Sequence, residues 1–382
     1  MPSKTMKAVV KPEQAPGMTL REVPLPTIGP LDALIKVRAT SICGTDLHIY
    51  KWDEWARKRI NPPLVVGHEL CGHVAAVGRD VTQVREGDFV SAESHITCGH
   101  CSQCRTGNGH ICQNTQIIGV DRDGCWAEYI AMPASNLWVN APEMPAEIAC
   151  MLENFGNAVH TAFSTDLTAR RVLITGCGPV GLMTVAVAKA AGARTIYATD
   201  ISPYRLRLAT LMGATYALNV GEVKVVDFIR QDTGGDGVDV LLEMSGASSA
   251  FDQGFAALRD GGEAALLGLA PGVIGFDINN HIIFKGATVR GIVGRELWGT
   301  WFRMRGLLDS KAVDLSPLVT HRFALDNWED AIQVMTSGAS GKVVMFVDGE
   351  QVTGGAREDR QAGEGMDSSK NANASKTTAA GS

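Results

Sequence analysis

The sequence has few aromatic residues, little net charge and no long apolar run. Phe, Trp and Tyr make up 6% of its 382 residues. The formal net charge of -6 gives no electrostatic reason to expect a nucleic acid or an anionic membrane as a partner. No stretch reaches the roughly 18 uninterrupted apolar residues that a membrane-spanning helix needs. We therefore expect a soluble protein whose partners include neither a membrane nor a nucleic acid.

Two further absences concern the ends of the chain. The opening residues, MPSKTMKAVV, lack the apolar segment of a secretory signal, so we expect a cytoplasmic protein. From about Gln351 onward the sequence contains no Leu, Ile, Phe, Trp or Tyr. Such a segment cannot bury enough apolar surface to offset its ordering entropy. We therefore predict that residues 350–382 are disordered.

The rest of the chain has enough apolar residues, 45% overall, to form a sizeable core, and its length suits two domains. Up to residue 155, short alternating runs separated by Gly and Pro predict a β-rich region. Beyond it, strand-like apolar runs alternate with helical patterns, which predicts βαβ units on a parallel sheet. We place strands of that sheet at residues 171–175, 195–199, 238–244, 263–268 and 288–292. The fold class is therefore α/β, with a β-rich part and a doubly wound parallel sheet.

A glycine-rich turn, Gly-Cys-Gly-Pro-Val-Gly, occupies residues 176–181. It follows an apolar strand and precedes a helical pattern, which is the context of a dinucleotide-binding turn. We expect Gly176 to allow the tight turn, Gly178 to let the backbone approach a pyrophosphate, and Gly181 to let helix and strand pack closely. The helix N-terminus then offers free N–H groups to that anion. Ordinary turn glycines are the alternative interpretation.

Asp200 follows the next predicted strand after the glycine turn. A carboxylate at this position accepts hydrogen bonds from the ribose hydroxyls of NAD and repels the 2′-phosphate of NADP. Arg205 could stack on the adenine or bond to the ribose. These residues favour NAD as the cofactor, with a helix cap as the alternative role for Asp200.

Four cysteines fall within one short segment: Cys98, Cys101, Cys104 and Cys112. In a reducing compartment such a cluster indicates a metal site rather than disulfides. Four thiolates suit a closed structural zinc site, which has no open position for a substrate. An iron–sulfur cluster is the alternative, but ferredoxins have a shorter final gap and a proline where Gln113 stands here. His100 and His110 are expected to be bystanders.

A second metal site is suggested by Cys43 and by the pair His68 and Glu69. One thiolate, one imidazole and one carboxylate form a zinc set that leaves a position for water or substrate. Spacing alone does not establish this set, because Cys43 is far from His68 in the sequence. Taken singly, each of the three is more often a structural residue than a metal ligand.

Taken together, these features resemble a known family. The pattern Gly-His-Glu-x2-Gly-x5-Gly-x2-Val at residues 67–81 resembles the signature of zinc-containing medium-chain alcohol dehydrogenases. The cysteine segment and the glycine turn follow in the order typical of that family. The resemblance extends over about residues 6–349. It implies a GroES-like catalytic domain over residues 1–155 with the structural zinc lobe, a Rossmann NAD-binding domain over 156–296, and a C-terminal part, 297–349, that completes the catalytic domain.

Four short strings resemble the L-threonine 3-dehydrogenase branch of that family more closely. They are Trp-Asp-Glu-Trp-Ala at 52–56, Ser-His-Ile-Thr-Cys-Gly-His-Cys at 94–101, Gly-Asn-Ala-Val-His-Thr at 156–161 and Gly-Arg-Glu at 294–296. This resemblance implies oxidation of L-threonine at C3 to 2-amino-3-oxobutanoate in threonine catabolism, with NAD as acceptor, in a homotetramer. The alternatives are a polyol- or sorbitol-type dehydrogenase on the same scaffold and a zinc-bearing binding protein without turnover.

The resemblance also implies roles for individual residues. Cys43, His68 and Glu69 match the ligands of a catalytic zinc, and the four clustered cysteines match those of a structural zinc, giving two zinc ions per chain. Glu153 matches an acidic position near the catalytic metal that enters the coordination sphere in some relatives, and His95 matches a residue of the substrate pocket. A larger set matches NAD contacts: Val180, Asp200, Arg205, Leu267, Gly268, Leu269, Ile292 and Val293.

Thr45 and His48 match the proton-relay pair of the family. They are three residues apart, so a helix would place both on one face. An imidazole suits a relay at neutral pH because free histidine titrates at about 6.5. A helix cap and a surface imidazole are the alternative roles. Two positions depart from the family pattern: Ser94 replaces a usual glycine, and Val293 stands where a tyrosine is common.

Overall fold

The computed structural model describes residues 4–270 and 272–348. The disorder predicted for residues 350–382 falls outside these described residues. The strands are β1 Thr5–Lys11, β2 Thr19–Pro24, β3 Asp32–Ser41, β4 Leu64–Val65, β5 Leu70–Val77, β6 Phe89–Ala92, β7 His95–Ile96, β8 Gln116–Ile117, β9 Tyr129–Pro133, β10 Leu137–Val139, β11 Arg171–Thr175, β12 Thr195–Asp200, β13 Tyr216–Asn219, β14 Val238–Glu243, β15 Leu258–Leu266, β16 Thr288–Gly291, β17 Val319–Ala324 and β18 Lys342–Phe346.

The helices are short to medium in length. They are α1 Gly44–Lys51, α2 Glu54–Arg59, α3 Ser102–Arg105, α4 Ala146–Ala149, α5 Leu152–Ala162, α6 Pro179–Ala190, α7 Pro203–Met212, α8 Val225–Asp232, α9 Ser248–Ala257, α10 Gly299–Asp309 and α11 Trp328–Thr336. Single 3₁₀ or π turns occupy Gly109–Ile111, Ala134–Asn136, Asn279–Ile283, Ser316–Leu318 and Leu325–Asn327. Across the described ranges, every helix is too short or too polar to cross a membrane.

The first part of the chain is β-rich, as predicted. Its main sheet has the order β10-β6-β5-β3-β18-β17, with β9 also paired to β3, while β2, β1 and β4 form a smaller sheet. Exposure alternates along β3, as expected for a strand with one face on the core. β3 and β5 are antiparallel, with Thr40 opposite Leu70, so the end of β3 lies beside the start of β5. β18, from the far end of the chain, pairs with β3 on its other side.

The second sheet is parallel and has the order β13-β12-β11-β14-β15-β16. This is a doubly wound order whose direction reverses between β11 and β14, where such sheets bind ligands at the carboxyl ends of their strands. Val172, Leu173 and Ile174 of β11 are completely buried, because helices cover both faces of the sheet. The five predicted strands are present. The sixth, β13, was missed because its four residues form no continuous buried run.

Helix α5 joins the two sheets. All of its residues except Asn157 are buried, and it packs on β6 of the first sheet, on β15 of the second, and on α6 and α10. One hydrophobic cluster therefore runs from Phe89 through Phe155 to Val172. Any side chain near the start of α5 lies between the antiparallel sheet and the parallel sheet.

Candidate active site

Cys43, His68 and Glu69 come together where β3 and β5 meet. Cys43 follows β3 and is the N-cap residue of α1, while His68 and Glu69 immediately precede β5. The sulfur, a ring nitrogen and a carboxylate oxygen of these residues lie within 4.8 Å of one another. His68 and Glu69 are buried. The antiparallel pairing of the two strands thus brings together the three residues that the sequence separates.

The polar atoms of this group fit a metal ion. Glu69 Oε1 and His68 Nδ1 are buried with no hydrogen-bond partner among the described residues, although Asp46 Oδ1 lies 3.7 Å from His68 Nδ1. A buried polar atom without a partner is costly, and a cation removes that cost. A thiolate, an imidazole and a carboxylate form a donor set that suits zinc and leaves a fourth position open.

The charges around His68 agree with this interpretation. Although burial alone would lower the pKa of His68, the Cys43 thiolate and the Asp46 carboxylate raise that pKa well above its ordinary value. Burial in turn raises the pKa of Asp46 to about 6. The surroundings of the imidazole therefore favour a positive charge, which a divalent metal supplies more strongly than a proton does.

The second oxygen of Glu69 is already engaged, by two residues that sequence reasoning missed. Lys342 Nζ lies 2.5 Å from Glu69 Oε2, and the Ser41 hydroxyl also donates to that oxygen. Lys342 Nζ donates further to the carbonyl of Ile42, at 3.1 Å. Although burial alone would lower the pKa of Lys342, Glu69 raises it above its ordinary value. Glu69 can therefore bind a metal through Oε1, while the bonds to Oε2 hold its carboxylate in place.

The four clustered cysteines also converge. The distances between Sγ atoms are 3.5 Å for Cys101–Cys104 and Cys98–Cys112, and 3.8 Å for Cys101–Cys112. A tetrahedron with zinc–sulfur bonds of about 2.3 Å has sulfur–sulfur edges of about 3.8 Å. Backbone N–H groups of His100 and Cys101 lower the pKa of the Cys98 thiol to about 5, which favours the thiolate.

The two histidines near these cysteines have other contacts, as expected of bystanders. His100 Nδ1 lies 2.7 Å from the carbonyl of Cys98. The ring of His110 packs edge-on against His160 at 5.4 Å, and His160 Nδ1 lies 2.9 Å from the carbonyl of Gly294. The cysteine lobe thereby contacts the loop that follows β16.

The glycine turn has the geometry predicted for a phosphate cradle. Gly176 has a φ of +86°, and a Cβ at Gly181 would lie 1.9 Å from the carbonyl oxygen of Gly176. A Cβ on Gly178, the N-cap of α6, would meet no atom of the described residues within 4 Å. The first and third glycines are thus required by packing, whereas the space beside Gly178 is open for a ligand.

Asp200 stands at the end of β12, next to this cradle. Its Oδ2 accepts from the N–H of Cys177 at 2.7 Å, and its Oδ1 accepts from the N–H of Ser202 at 2.8 Å. Arg205 Nε is buried and has no hydrogen-bond partner in the part of the chain that the structure describes. The carboxylate is therefore fixed by the backbone, and the guanidinium retains a donor for a ligand.

The remaining predicted nucleotide contacts lie at the carboxyl edge of the same sheet. Val180 is in α6, and Leu267, Gly268 and Leu269 follow β15. Ile292 and Val293 follow β16. Leu269 and Val293 are exposed, with relative exposures of 84% and 51%.

Sequence reasoning also missed Glu243, a fully buried carboxylate at the end of β14. It accepts from the hydroxyl of Thr175 and from the backbone N–H groups of Ser245 and Gly246. Ser245 in turn packs against Gly176. The only local signal was a carboxylate that ends an apolar strand.

Thr45 and His48 lie on α1, as their spacing predicted. Thr45 Oγ1 is 3.8 Å from the sulfur of Cys43. The alternative role of Thr45 as a helix cap is wrong, because Cys43 occupies the N-cap. His48 is half-exposed, and its Nδ1 is hydrogen-bonded to the carboxylate of Asp53, which is the N-cap of α2.

Glu153 and His95 border the same region. Glu153 is buried near the start of α5, and its charge is among those that raise the pKa of His68. Burial and the nearby Arg295 lower the pKa of His95 to about 4, so its imidazole is neutral at physiological pH. A Cβ at Gly294 would lie 2.7 Å from His95 Cε1, so this ring packs on the loop that also carries Val293.

Comparison with known proteins identifies the family of this chain. The family model described as alcohol dehydrogenase GroES-like domain matches residues 29–143, and the model described as zinc-binding dehydrogenase matches residues 179–310. The chain is 51% identical to the L-threonine 3-dehydrogenase of Symbiobacterium thermophilum, over 91% of this chain and 99% of that protein. It is 47% identical to the L-threonine 3-dehydrogenase of Bacillus subtilis, over 91% of this chain and all of that protein.

Solved structures with this fold are more distant in sequence. The alcohol dehydrogenase TADH of Thermus sp. ATN1 is 29% identical with a TM-score of 0.82, and the match covers 90% of this chain and 100% of that one. Galactitol-1-phosphate dehydrogenase of Escherichia coli is 26% identical with a TM-score of 0.82, with the same coverage of both chains. The polyol-type alternative is therefore not favoured, since those enzymes are far less similar than the threonine dehydrogenases. The chain belongs to the zinc-containing medium-chain alcohol dehydrogenase family, in its L-threonine 3-dehydrogenase branch.

Proposed function

We propose that this protein oxidises L-threonine at C3 to 2-amino-3-oxobutanoate, with zinc in the active site and NAD as the acceptor. One observation carries the proposal. Cys43, His68 and Glu69 present their ligand atoms within 4.8 Å of one another, in a chain that is about half identical to L-threonine 3-dehydrogenases over nine tenths of its length.

Two metal sites belong to this proposal. Cys43, His68 and Glu69 would hold the catalytic zinc, and the four clustered cysteines would hold the structural zinc. When bound, the catalytic zinc lowers the pKa of a coordinated hydroxyl, and NAD accepts the hydride from C3. The unpaired oxygen of Glu69 supports its role as a ligand, and Lys342 keeps that carboxylate in place.

The glycine turn would bind the pyrophosphate of the cofactor, and Asp200 would select NAD over NADP. The backbone N–H groups of Cys177 and Ser202 hold both oxygens of Asp200. A carboxylate fixed in this way keeps its negative charge close to the ribose, where it repels a 2′-phosphate. Arg205, whose Nε has no hydrogen-bond partner among the described residues, would stack on the adenine or donate to the same ribose.

The substrate proton would leave through Thr45 and His48. The Thr45 hydroxyl accepts the proton of the substrate hydroxyl as it donates its own proton toward His48. His48 is 54% exposed at its side chain, so it can release that proton to water. The bond from Nδ1 to Asp53 fixes the ring and leaves Nε2 for the transfer.

Glu153 and His95 would line the substrate pocket. His95 is neutral because burial lowers its pKa to about 4, so it can orient a polar group without adding charge. Glu153 adds a carboxylate beside the ligand group, close enough to influence the pKa of His68.

We further propose the domain boundaries implied by the family. These are a catalytic domain of residues 1–155 completed by 297–349, and an NAD-binding domain of residues 156–296. The pairing of β18 with β3 supports the return of the chain to the first domain. None of the nine cysteines forms a disulfide, which supports a cytoplasmic location.

We propose a homotetramer as the assembly. In the described part of the chain, β16 pairs with β15 alone and is thus an edge strand. Nearby side chains are exposed and apolar, including Phe284 at 76% and Ile283 at 59% relative exposure. An exposed apolar edge favours pairing with a second copy. Mass photometry would report the number of chains.

The experiment that tests the function uses the purified full-length protein. Zinc is measured by elemental analysis, and NADH formation is followed with L-threonine, sorbitol and ethanol. We expect two zinc ions per chain and rapid NADH formation with L-threonine alone. Turnover of sorbitol without turnover of L-threonine would overturn the substrate assignment, and two zinc ions without turnover of any alcohol would overturn the enzymatic function.

A further inference from the structure

A buried charged group lies between the two sheets. It links Glu153 of the proposed substrate pocket to Arg295 and Glu93, which belong to neither metal site nor to the proton relay. Arg295, on the loop after β16, contacts Glu93 after β6 and Glu153 on α5. The side chains of Arg295 and Glu93 are 1% and 0% exposed, and that of Glu153 is 5% exposed. Three segments that are distant in the sequence therefore meet in one desolvated cluster next to the candidate active site.

Every nitrogen of the Arg295 guanidinium has a hydrogen-bond or ion-pair partner within this cluster. Nε donates to Glu93 Oε2 at 2.9 Å, and Nη2 donates to Glu93 Oε1 and, at 3.0 Å, to Ser94 Oγ. Nη1 forms an ion pair with Glu153 Oε1 at 2.7 Å and donates to Asn157 Oδ1 at 3.2 Å. A guanidinium has five N–H groups, and these are five contacts. Arg295 therefore has no N–H left over to bind the carboxylate of a substrate.

Glu93 is saturated in the same way. Its Oε1 accepts from the backbone N–H of His95 at 3.0 Å as well as from Arg295. Its Oε2 accepts from Trp301 Nε1 at 2.8 Å as well as from Arg295. Both oxygens of Glu93 therefore have their hydrogen-bond partners within the cluster, and its negative charge is paired with Arg295.

Glu153 is held differently, because its contacts with Ser94 and Arg295 both involve Oε1. The Ser94 hydroxyl donates to Glu153 Oε1 at 2.6 Å, and Arg295 Nη1 contacts the same oxygen. Oε2 takes part in neither of these contacts. Ser94 is completely buried, and its hydroxyl both accepts from Arg295 and donates to Glu153. The Ser94 hydroxyl therefore bridges Arg295 and Glu153, and this bridge fixes the orientation of the Glu153 carboxylate.

We propose that Ser94 is a positioning residue that, with Arg295, holds Glu153 by Oε1 so that Oε2 accepts the ammonium group of the amino-acid substrate. This inference rests on the proposed function. Two carboxylates and one guanidinium give the cluster an excess of negative charge, and Glu153 Oε2 is the carboxylate oxygen that takes part in none of the contacts described above. Because the neighbouring His95 is neutral, an ammonium group meets an attractive field there.

The test compares Ser94→Ala with the wild-type enzyme on substrates that separate the two charged groups. L-threonine carries both groups. 1-Aminopropan-2-ol lacks the carboxylate, and 3-hydroxybutanoate lacks the ammonium group. We expect Ser94→Ala to raise KM for L-threonine roughly fivefold to tenfold, the loss typical of one ordinary hydrogen bond, with kcat changed less than about threefold. The inhibition constant of 1-aminopropan-2-ol should rise by the same factor, and that of 3-hydroxybutanoate should not change.

Ser91→Ala is the matched control. Ser91 is a buried serine on β6 whose hydroxyl donates to the carbonyl of Ala149 at 2.7 Å, away from the charged cluster. Zinc content, Tm and KM for NAD verify that each variant is folded. An unchanged KM for L-threonine in Ser94→Ala overturns the proposal. Equal weakening of both inhibitors, or an equal effect in Ser91→Ala, also overturns it, because that pattern indicates general distortion. Failure of the proposed function would instead appear as a wild-type enzyme that does not oxidise L-threonine.

Discussion

The two candidate metal groups of this protein differ in how they are built. The cysteine lobe takes four identical donors from residues 98–112 and supports the sulfurs with nearby backbone N–H groups, such as that of Asn114 to Cys112. The other group takes three different donors from the ends of two strands and leaves buried polar atoms unpaired. Four donors close a coordination shell, whereas three leave a position open. The difference suggests that the first site stabilises local structure and the second performs chemistry.

The largest expected effect comes from breaking the lobe with Cys104→Ser. We expect one zinc per chain to be lost and the segment around residues 98–112 to unfold, because structural zinc contributes about 10 kcal/mol or more to the folding of small sites. Hydrogen exchange by mass spectrometry should show loss of protection confined to this segment. Retention of both zinc ions would contradict the account of the lobe.

Cys43→Ser tests the three-donor group formed by Cys43, His68 and Glu69. We expect kcat with L-threonine to fall about a thousandfold or more, because the Lewis acid supplies several kcal/mol of transition-state stabilisation. Tm should change little, and the zinc of the lobe should remain. A variant that loses its fold along with its activity would indicate that the two groups do not differ in the way described.

Lys342→Met tests how much the buried ion pair between Lys342 and Glu69 contributes to the stability of the protein. Glu69 loses its buried cation, and removing one partner of a buried ion pair typically destabilises a protein by about 3–5 kcal/mol. Urea unfolding should show a loss of this size. The double variant Lys342→Met with Glu69→Gln should recover part of the loss, and no recovery would mean that the ion pair is not its cause.

His48→Ala has the smallest expected effect, and it separates the relay from the metal site. We expect kcat to fall about a hundredfold, in the range typical of general acid–base residues, with both zinc ions retained. The pH dependence of kcat should change as well. Asp53→Asn should show a weaker effect in the same direction, because Asp53 only orients the ring. Turnover that is unchanged across pH would exclude the relay.

The sequence predicted best what lies close together along the chain. The four cysteines and the glycine turn are local patterns, and the strands of the parallel sheet were predicted from runs such as Val172 to Ile174. β13 was missed because a strand of four residues with a single buried side chain gives too weak a signal. The convergence of Cys43 with His68 was not deducible from spacing, because it depends on the pairing of β3 with β5.

The partners of the site residues were the hardest features to predict. Lys342 bonds to the carbonyl of Ile42, 300 positions away, and Arg295 bonds to Glu93, 202 positions away. Local sequence gives little information about such pairs, because the first depends on the pairing of β18 with β3 and the second on how the two sheets pack. One local signal of such a buried charge was present in the sequence. It is a charged residue directly beside an apolar run, as in Lys-Val-Val-Met-Phe of β18.

The most direct test of the account is a chelator titration of the wild-type enzyme in which zinc content and L-threonine turnover are measured on the same samples. We predict that the first zinc removed comes from the three-donor group, and that turnover falls in proportion to its loss and returns when one zinc per chain is added back. Turnover that survives removal of the first zinc, or that falls only with the second, would contradict the assignment of chemistry to the group formed by Cys43, His68 and Glu69.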